Sequence, residues 1–114
     1  MHIDSYQFGK IVIDGLSYNS DIKIIHGVVH PNWQRKQGHL LLSNDIEDIL
    51  QAKPSVFIVG CGVYRMMDVA KYTQQVLQEH NINFEIADTK KAVQRLNELS
   101  KEGADYAAAL HLTC

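Results

Sequence analysis

The sequence predicts a three-layer α/β fold with a mixed central sheet, in which a β-rich N-terminal part precedes a β-α-β-α-β C-terminal part. The residues before Ser43 are rich in β-branched side chains and are interrupted by turn signals. Val56–Val59 is a continuous apolar run, as is typical of strands covered on both faces. After Ser43, segments with helical spacing alternate with short apolar runs. The 114 residues contain no repeat and no Gly/Ser linker, which predicts a single domain over residues 1–114.

The first strands are predicted from two turn signals. A break at Gly9-Lys10 separates apolar and aromatic residues at positions 6 and 8 from those at positions 11 and 13. Asp14-Gly15 follows, and this dipeptide is a strong hairpin signal because both residue types tolerate a positive φ. The segment therefore predicts short antiparallel strands.

Two further strands are predicted before the first helix. Ile22–His30 is rich in β-branched residues and predicts one long strand. Pro31 ends this strand because proline has no N–H to donate to a ladder. His39–Leu42 is a short apolar run and predicts another strand.

The next segment predicts a helix, a buried strand, a turn and a second helix. Ser43 is a good N-cap, acidic residues occupy the first turns, and Pro54 ends the helix. The strand Val56–Val59 leads into the turn Gly60–Gly62. The apolar spacing then predicts a helix over Val63–Glu79.

The last elements are a strand, a helix and a strand. Ile82–Ile86 is the strand, Thr89 caps the helix, and Gly103 sits where a C′ glycine is expected. Tyr106–Leu112 is the final strand. Crossovers of this length fit parallel neighbours, although the last connection could also return antiparallel, and periodicity leaves both possibilities open.

Charge and composition disfavour several classes of partner. Eleven Lys and Arg oppose thirteen Asp and Glu, and this balance gives no general attraction to nucleic acid or anionic lipid. No apolar run approaches the roughly 20 residues that span a bilayer. Two cysteines and no apolar leader argue against a small secreted domain. We therefore expect a cytoplasmic protein that binds neither nucleic acid nor membrane.

The turn after the buried strand is a candidate ligand site. Ligands of open α/β sheets bind beyond the carboxyl ends of the strands, where Gly60, Cys61 and Gly62 are expected. A small polar or anionic ligand could bind there and at the helix start at Thr89, within reach of Arg65 or Lys90. The alternative is a tight turn that needs glycine for backbone reasons.

The Cys61 thiol is a candidate nucleophile. If the thiol lies near a helix N-terminus, the helix dipole would lower its pKa and make it more nucleophilic. His39 and His111 are the candidate bases, and nothing in the sequence places either one close to the thiol. The alternative is a small buried side chain that fills space in the turn.

No metal or cofactor is predicted. His26 and His30 share a strand face but would lie about 13 Å apart, too far for one ion. No Cys-x-x-Cys or His-x-x-x-His helical pair is present.

A polar-aromatic segment between two strands is a candidate partner surface. It contains Trp33, Arg35 and His39, and Trp and Arg are enriched at binding hot spots. The alternative is a loop whose tryptophan folds back onto the core.

Several separated segments together resemble a known family. They are Tyr6–Gly9, Trp33–His39, Val59–Gly62, Asp88-Thr89, Ala92-Val93, Leu96–Leu99 and His111–Cys114. The chain resembles the domain-of-unknown-function family that includes the animal adipogenesis-associated protein and assembly factor 3 of mitochondrial respiratory complex I. The resemblance covers essentially the whole chain and implies a three-layer α/β fold.

The resemblance supplies no catalytic residues. The positions that it matches are candidates only, namely Trp33, Arg35, His39, Gly60, Gly62, Thr89, His111 and Cys114. We expect a non-catalytic binding or assembly module with a possible protein partner. The alternative is a small-molecule enzyme or sensor with its site at the Gly60–Gly62 turn. The sequence does not predict the oligomeric state.

Overall fold

The computed structural model describes residues 1–114. It contains ten strands, three α-helices and one 3₁₀ turn. The strands are β1 Ile3–Gln7, β2 Lys10–Ile13, β3 Leu16–Tyr18, β4 Ile22–Ile25, β5 Val28–His30, β6 Leu40–Leu41, β7 Val56–Cys61, β8 Asp68–Val69, β9 Asn83–Ala87 and β10 Tyr106–His111. The helices are α1 Glu47–Ala52, α2 Lys71–Glu79 and α3 Thr89–Glu102, and the 3₁₀ turn at Ser43–Ile46 precedes α1.

The central sheet has the strand order β5-β4-β10-β7-β9. Its middle strand, β10, pairs antiparallel with β4 and parallel with β7. Strand β9 pairs parallel with the other edge of β7. The sheet is therefore mixed, as predicted, and the last crossover returns parallel.

Both faces of the central sheet are covered. On one face, the three-stranded antiparallel sheet β1-β2-β3 and the apolar side of α3 form a core with Ile58 and Leu110. On the other face, α1, α2 and the segment around Trp33 and Leu41 pack against Phe57. The three-layer α/β fold is confirmed.

The segment Ile22–His30 is a hairpin, not the one long strand that its β-branched residues predict. His26 and Gly27 both have positive φ, at 49° and 74°, and form the two-residue turn between β4 and β5. Paired positive φ values are typical of a type I′ turn, whose twist matches that of the flanking strands.

The predicted helix over Val63–Glu79 is wrong in its first half. Gly60 and Cys61 continue strand β7, and α2 begins only at Lys71. Residues 63–70 instead form a loop and the short strand β8, which pairs parallel with β6. Backbone amides of the loop donate to distant parts of the chain and not to a preceding helical turn. The Val63 N–H, for example, donates to Thr113 O at 2.7 Å. The predicted ligand site relied on a helix that begins directly after Gly62. Because α2 begins only at Lys71, the Gly60–Gly62 segment does not lie at a helix N-terminus.

Two predicted helix caps are also wrong. Ser43 does not cap a helix; the side chain of Asp45 accepts a hydrogen bond from the Leu42 N–H at 2.9 Å. The N-cap of α3 is Asp88, which accepts from the Lys91 N–H, and not Thr89. The C-terminal end of α3 at Gly103 is as predicted, with φ 71°. None of the helices is long and apolar enough to cross a bilayer.

Candidate functional site

Gly60 and Gly62 are both required by close backbone packing. A Cβ at Gly60 would lie 2.8 Å from Leu110 Cδ2 and 3.2 Å from Thr89 Cα, so α3 can approach β7 only at glycine. Gly62 has φ +98°, and a Cβ there would overlap the main chain of Cys114. These contacts support the backbone explanation for both glycines.

The Thr89 hydroxyl joins the loop after β7 to the end of β10. It accepts a hydrogen bond from the Gly62 N–H at 2.7 Å and donates one to His111 O at 2.6 Å. Thr89 is completely buried. The structure thus brings together three of the positions that the sequence marked as candidates, and their contacts hold the backbone in place.

The loop from Val63 to Met67 is held by its own backbone. The Arg65 N–H donates to Gly62 O at 3.2 Å and closes a tight turn, in which Arg65 has φ 55°. The Met66 N–H donates to the main-chain oxygen of Cys114 at 2.9 Å. The Met67 N–H donates to Cys61 O at 3.2 Å. These bonds fix the loop against the sheet, where Met67 is buried in the core and residues 63–66 stay exposed.

Large apolar side chains are exposed along this loop and beside it. Tyr64 is 71% exposed, Met66 54% and Val63 37%, and Phe8 at the neighbouring β1-β2 turn is 55% exposed. We call these four residues the Tyr64 surface. An open cleft of about 470 Å³ lies beside it and is lined by Tyr6, Gln7, Phe8, Val63, Asp88 and Lys90. Lys90, a predicted ligand residue, therefore lies at this cleft.

The surroundings of Cys61 do not favour a reactive thiol. Cys61 is completely buried, and burial raises its pKa to about 11, with Arg65 and Arg35 opposing that rise only in part. Cys61 and His111 are register partners on neighbouring strands, but no hydrogen bond joins the thiol to either candidate base. The thiol belongs to the core beside Phe57, which is the alternative given above.

Neither Trp33 nor Arg35, two of the three residues predicted at a partner surface, has its side chain free at the surface, which favours the alternative of a loop whose tryptophan folds back onto the core. Trp33 is 8% exposed and packs in the core, where its Nε1–H donates to Asp45 O at 3.3 Å. The guanidinium of Arg35 lies 4.7 Å from the Trp33 ring centre, and the side chain is 4% exposed. Only His39 is exposed.

Arg35 belongs to a buried polar cluster that the sequence did not reveal. Asp21 Oδ2 is 2.9 Å from an Arg35 terminal nitrogen and 2.7 Å from His111 Nδ1. Asp21 Oδ1 accepts from the Leu112 N–H at 2.7 Å. Arg35 also donates twice to Gly38 O, and its other terminal nitrogen has no partner.

The electrostatics of this cluster follow from its hydrogen bonds. Burial alone would raise the pKa of Asp21, but hydrogen bonds from His111, the Leu112 N–H and Arg35 outweigh it and hold that pKa below its usual range. A carboxylate with three donors stays ionised and compensates the buried guanidinium. No local signal could have identified the cluster, because its members are 14 to 90 positions apart in the chain.

No group of three or more His, Cys, Asp or Glu side chains is close enough to hold a metal ion. His39 and His111 do approach each other, with ring centres 5.6 Å apart in an edge-to-face arrangement. The arrangement is a packing contact between two rings, and the absence of a cofactor stays a prediction of the sequence.

The fold matches those of solved structures over most of their length. A protein designated MT938 is 28% identical, with a TM-score of 0.82, and the match covers 99% of this chain and 98% of that one. A conserved hypothetical protein, PH1505 from Pyrococcus horikoshii OT3, is 26% identical, with a TM-score of 0.84 and full coverage of both chains. A Bordetella pertussis protein described as a Mth938-like domain is 19% identical, with a TM-score of 0.69 and coverage of 97% and 85%.

No curated protein matches the chain significantly. Residues 3–111 match the family described as "Protein of unknown function (DUF498/DUF598)", which is nearly the whole chain. The solved structures show the same mixed α/β fold. The chain therefore belongs to the DUF498/DUF598 family.

Proposed function

We propose that this protein is a non-catalytic binding module and that it holds a partner protein on the Tyr64 surface. The observation that carries the proposal is the exposure of Phe8, Val63, Tyr64 and Met66 on a backbone fixed by hydrogen bonds. Phe8 and Val63 line one cleft, and Tyr64 and Met66 belong to the same loop as Val63. Exposed apolar side chains grouped in this way mark interaction sites, and aromatic residues and Met are enriched in interfaces.

The rigid backbone of the loop favours binding. A partner does not have to order a flexible segment, because the hydrogen bonds from Val63, Arg65 and Met66 already hold the loop in place. Association then costs less conformational entropy, which raises affinity without new contacts. Single exposed apolar residues need no explanation, but four on one fixed loop and its neighbouring turn do.

The groups that could perform covalent or acid–base chemistry support a non-catalytic role. The Cys61 thiol is buried in the core, and its pKa of about 11 leaves it protonated at neutral pH. The side chain of His111 is 7% exposed, and Asp21 and Arg35 occupy its Nδ1 side. A role in assembling a larger complex, as the resemblance to an assembly factor implies, is part of this proposal. A cytoplasmic location and the absence of nucleic-acid binding stay predictions of the sequence.

The double variant Phe8→Ser/Tyr64→Ser is expected to abolish retention of a partner from an extract of the native cell while leaving the protein folded. Both side chains are more than half exposed, so their truncation removes contacts to a partner and few internal ones. Retention is measured by affinity capture, and folding by thermal unfolding.

Leu16→Ser/Tyr72→Ser is the matched control. Leu16 and Tyr72 are 63% and 67% exposed but lie on other elements, so their loss should leave retention unchanged. Equal retention by wild type and the Phe8/Tyr64 variant would contradict the proposal.

A small polar or anionic ligand is the second candidate, and the cleft beside Lys90 is the observation that favours it. A ligand at 100 times its dissociation constant should stabilise the fold by about 2.7 kcal/mol. We expect that gain to disappear in Lys90→Ala and to persist in Lys101→Ala, at the other end of α3. If no nucleotide, sugar phosphate or organic acid raises the unfolding temperature of the wild type or of Lys101→Ala, the result would favour the protein-binding role.

A further inference from the structure

We infer that the partner of the Tyr64 surface presents apolar side chains flanked by carboxylates. This inference rests on the proposed function and adds the chemistry of the partner. Arg65 lies within the exposed loop, between Tyr64 and Met66, and Lys90 lines the cleft beside Phe8. Both cations are exposed, and neither forms an ion pair within the chain.

The acidic side chains Asp88 and Asp68 form no ion pair with either cation. Asp88 also lines the cleft, but one of its oxygens accepts from the Lys91 N–H at 2.9 Å and the other is 4.0 Å from Lys91 Nζ. Asp68 is exposed at the start of β8 and makes no ion pair with Arg65. The border of the Tyr64 surface therefore carries two cations that are free to meet carboxylates of a partner.

The arrangement has the layout of an interface with an apolar centre and a charged rim. The cleft of about 470 Å³ beside Phe8 and Val63 has room for a large apolar side chain of a partner. Apolar contacts at the centre supply most of the affinity of such interfaces. Complementary charges at the rim guide association and exclude partners of the wrong charge.

The same charges argue against a second copy of this chain as the occupant. A two-fold interface uses the same patch on both subunits. The patch carries Arg65 and Lys90, so such a dimer would bring four cations together around one apolar centre. Like charges that face each other across an interface cost binding free energy. A partner with Asp or Glu beside its apolar residues avoids this repulsion.

A random peptide library displayed on phage tests the inference with the full chain as bait. We expect the selected peptides to combine apolar residues with Asp or Glu. Synthetic copies of them should lose on the order of tenfold in affinity (about 1.4 kcal/mol) for Arg65→Asn/Lys90→Glu, because one rim cation is removed and the other is replaced by an anion. Asparagine is chosen at Arg65 because it tolerates the positive φ there. Raised salt should weaken binding as well.

Two controls separate the possible failures. Lys101→Glu, at the far end of α3, should bind the selected peptides like the wild type, and Phe8→Ser/Tyr64→Ser should not bind them. Peptides that need Phe8 and Tyr64 but are neutral or basic, and that bind the charge variant equally well, would overturn the inference and leave the proposed function intact. Selection of no peptide that depends on Phe8 and Tyr64 would overturn both. Concentration-dependent dimerisation that Phe8→Ser/Tyr64→Ser abolishes would overturn the inference in favour of a second copy.

Discussion

Replacement of Gly62 by alanine is expected to lower the free energy of unfolding by about 3 kcal/mol or more. Two costs combine at this position. The backbone of an L-residue is strained at a φ of +98°. The added Cβ would also overlap the main-chain carbon of Cys114 and lie 2.8 Å from Thr113 O. These are main-chain atoms, so no side-chain rotation can relieve the contact. Urea unfolding measures the loss.

Gly15→Ala is the matched control for Gly62→Ala. Gly15 has φ +80°, but a Cβ there meets no heavy atom within 4 Å. Gly15→Ala should therefore lower the free energy of unfolding only by the penalty for a positive φ, about 1–2 kcal/mol. Amide exchange at Val63 and Met66 should accelerate in the Gly62 variant, because both N–H groups donate to the displaced segment. Equal stability of the two variants would refute the steric argument.

The Gly62 contacts also decide how the ligand site can be tested. A Gly62→Val variant would move the C-terminal segment and the Tyr64 surface together, since Val63 and Met66 are bonded to Thr113 and Cys114. Loss of binding in that variant would report damage to the fold and would not locate a ligand. Residues whose side chains line the cleft, such as Lys90, are the better positions for substitutions that test ligand binding.

Asp21→Asn is expected to destabilise the protein by about 3 kcal/mol at neutral pH. Both carboxylate oxygens accept from donors only, namely His111, Arg35 and the Leu112 N–H. An amide in either orientation places an NH₂ group against one of these donors. It also leaves the Arg35 guanidinium, 4% exposed, without a carboxylate.

The stability difference between wild type and Asp21→Asn should depend on pH. The folded protein holds the pKa of Asp21 below its unfolded value of about 3.9. The carboxylate therefore contributes its full stabilisation above about pH 5, and that contribution is lost as the pH falls through 3.9 towards the folded pKa. Urea unfolding of both proteins across this range should show the difference shrink in acid.

Asp48→Asn is the control for the Asp21 prediction. Asp48 pairs with Lys23 at 2.7 Å, and its side chain is 44% exposed, so water reaches the carboxylate although Lys23 is only 14% exposed. Lys23 also keeps its contacts with Asp45 O and the Trp33 ring, so loss of this pair should cost about 1 kcal/mol or less. An Asp21 variant no less stable than the Asp48 variant, or a difference independent of pH, would show that the cluster does not stabilise the fold.

The sequence predicted those features that depend on local patterns. The apolar run Val56–Val59 indicated a strand buried on both faces, and the spacing after Asp88 indicated α3 with its end at Gly103. The wrong helix over Val63–Glu79 has a physical reason. Its first half has apolar residues at helical spacing, but the amides of Val63 and Met66 donate to Thr113 O and Cys114 O, in a distant part of the sequence. The spacing of apolar residues carries no information about hydrogen bonds to distant segments that compete with the helix.

The site was predicted less well than the fold. Thr89 and Gly62 were marked separately, and their mutual hydrogen bond follows only from the packing of α3 on β7. Trp33 was predicted at a surface because its neighbours are polar, yet its ring is buried in a core cluster that includes Phe57 and Leu77, which are far from it in the sequence. The hairpin at His26-Gly27 could have been found, since an isolated glycine within a strand pattern signals a turn or bulge.

The position of β10 in the middle of the sheet has a consequence for synthesis on the ribosome. Strands β4 and β7 never pair with each other; each pairs with β10, which leaves the ribosome after both. Until then, of the strands of this sheet, only β4 with β5 and β7 with β9 have their native partners available, and the edges of β4 and β7 that pair with β10 lack theirs. The sheet can close only when β10 inserts between them, so the two halves must stay unaggregated during translation and then fold in one cooperative step.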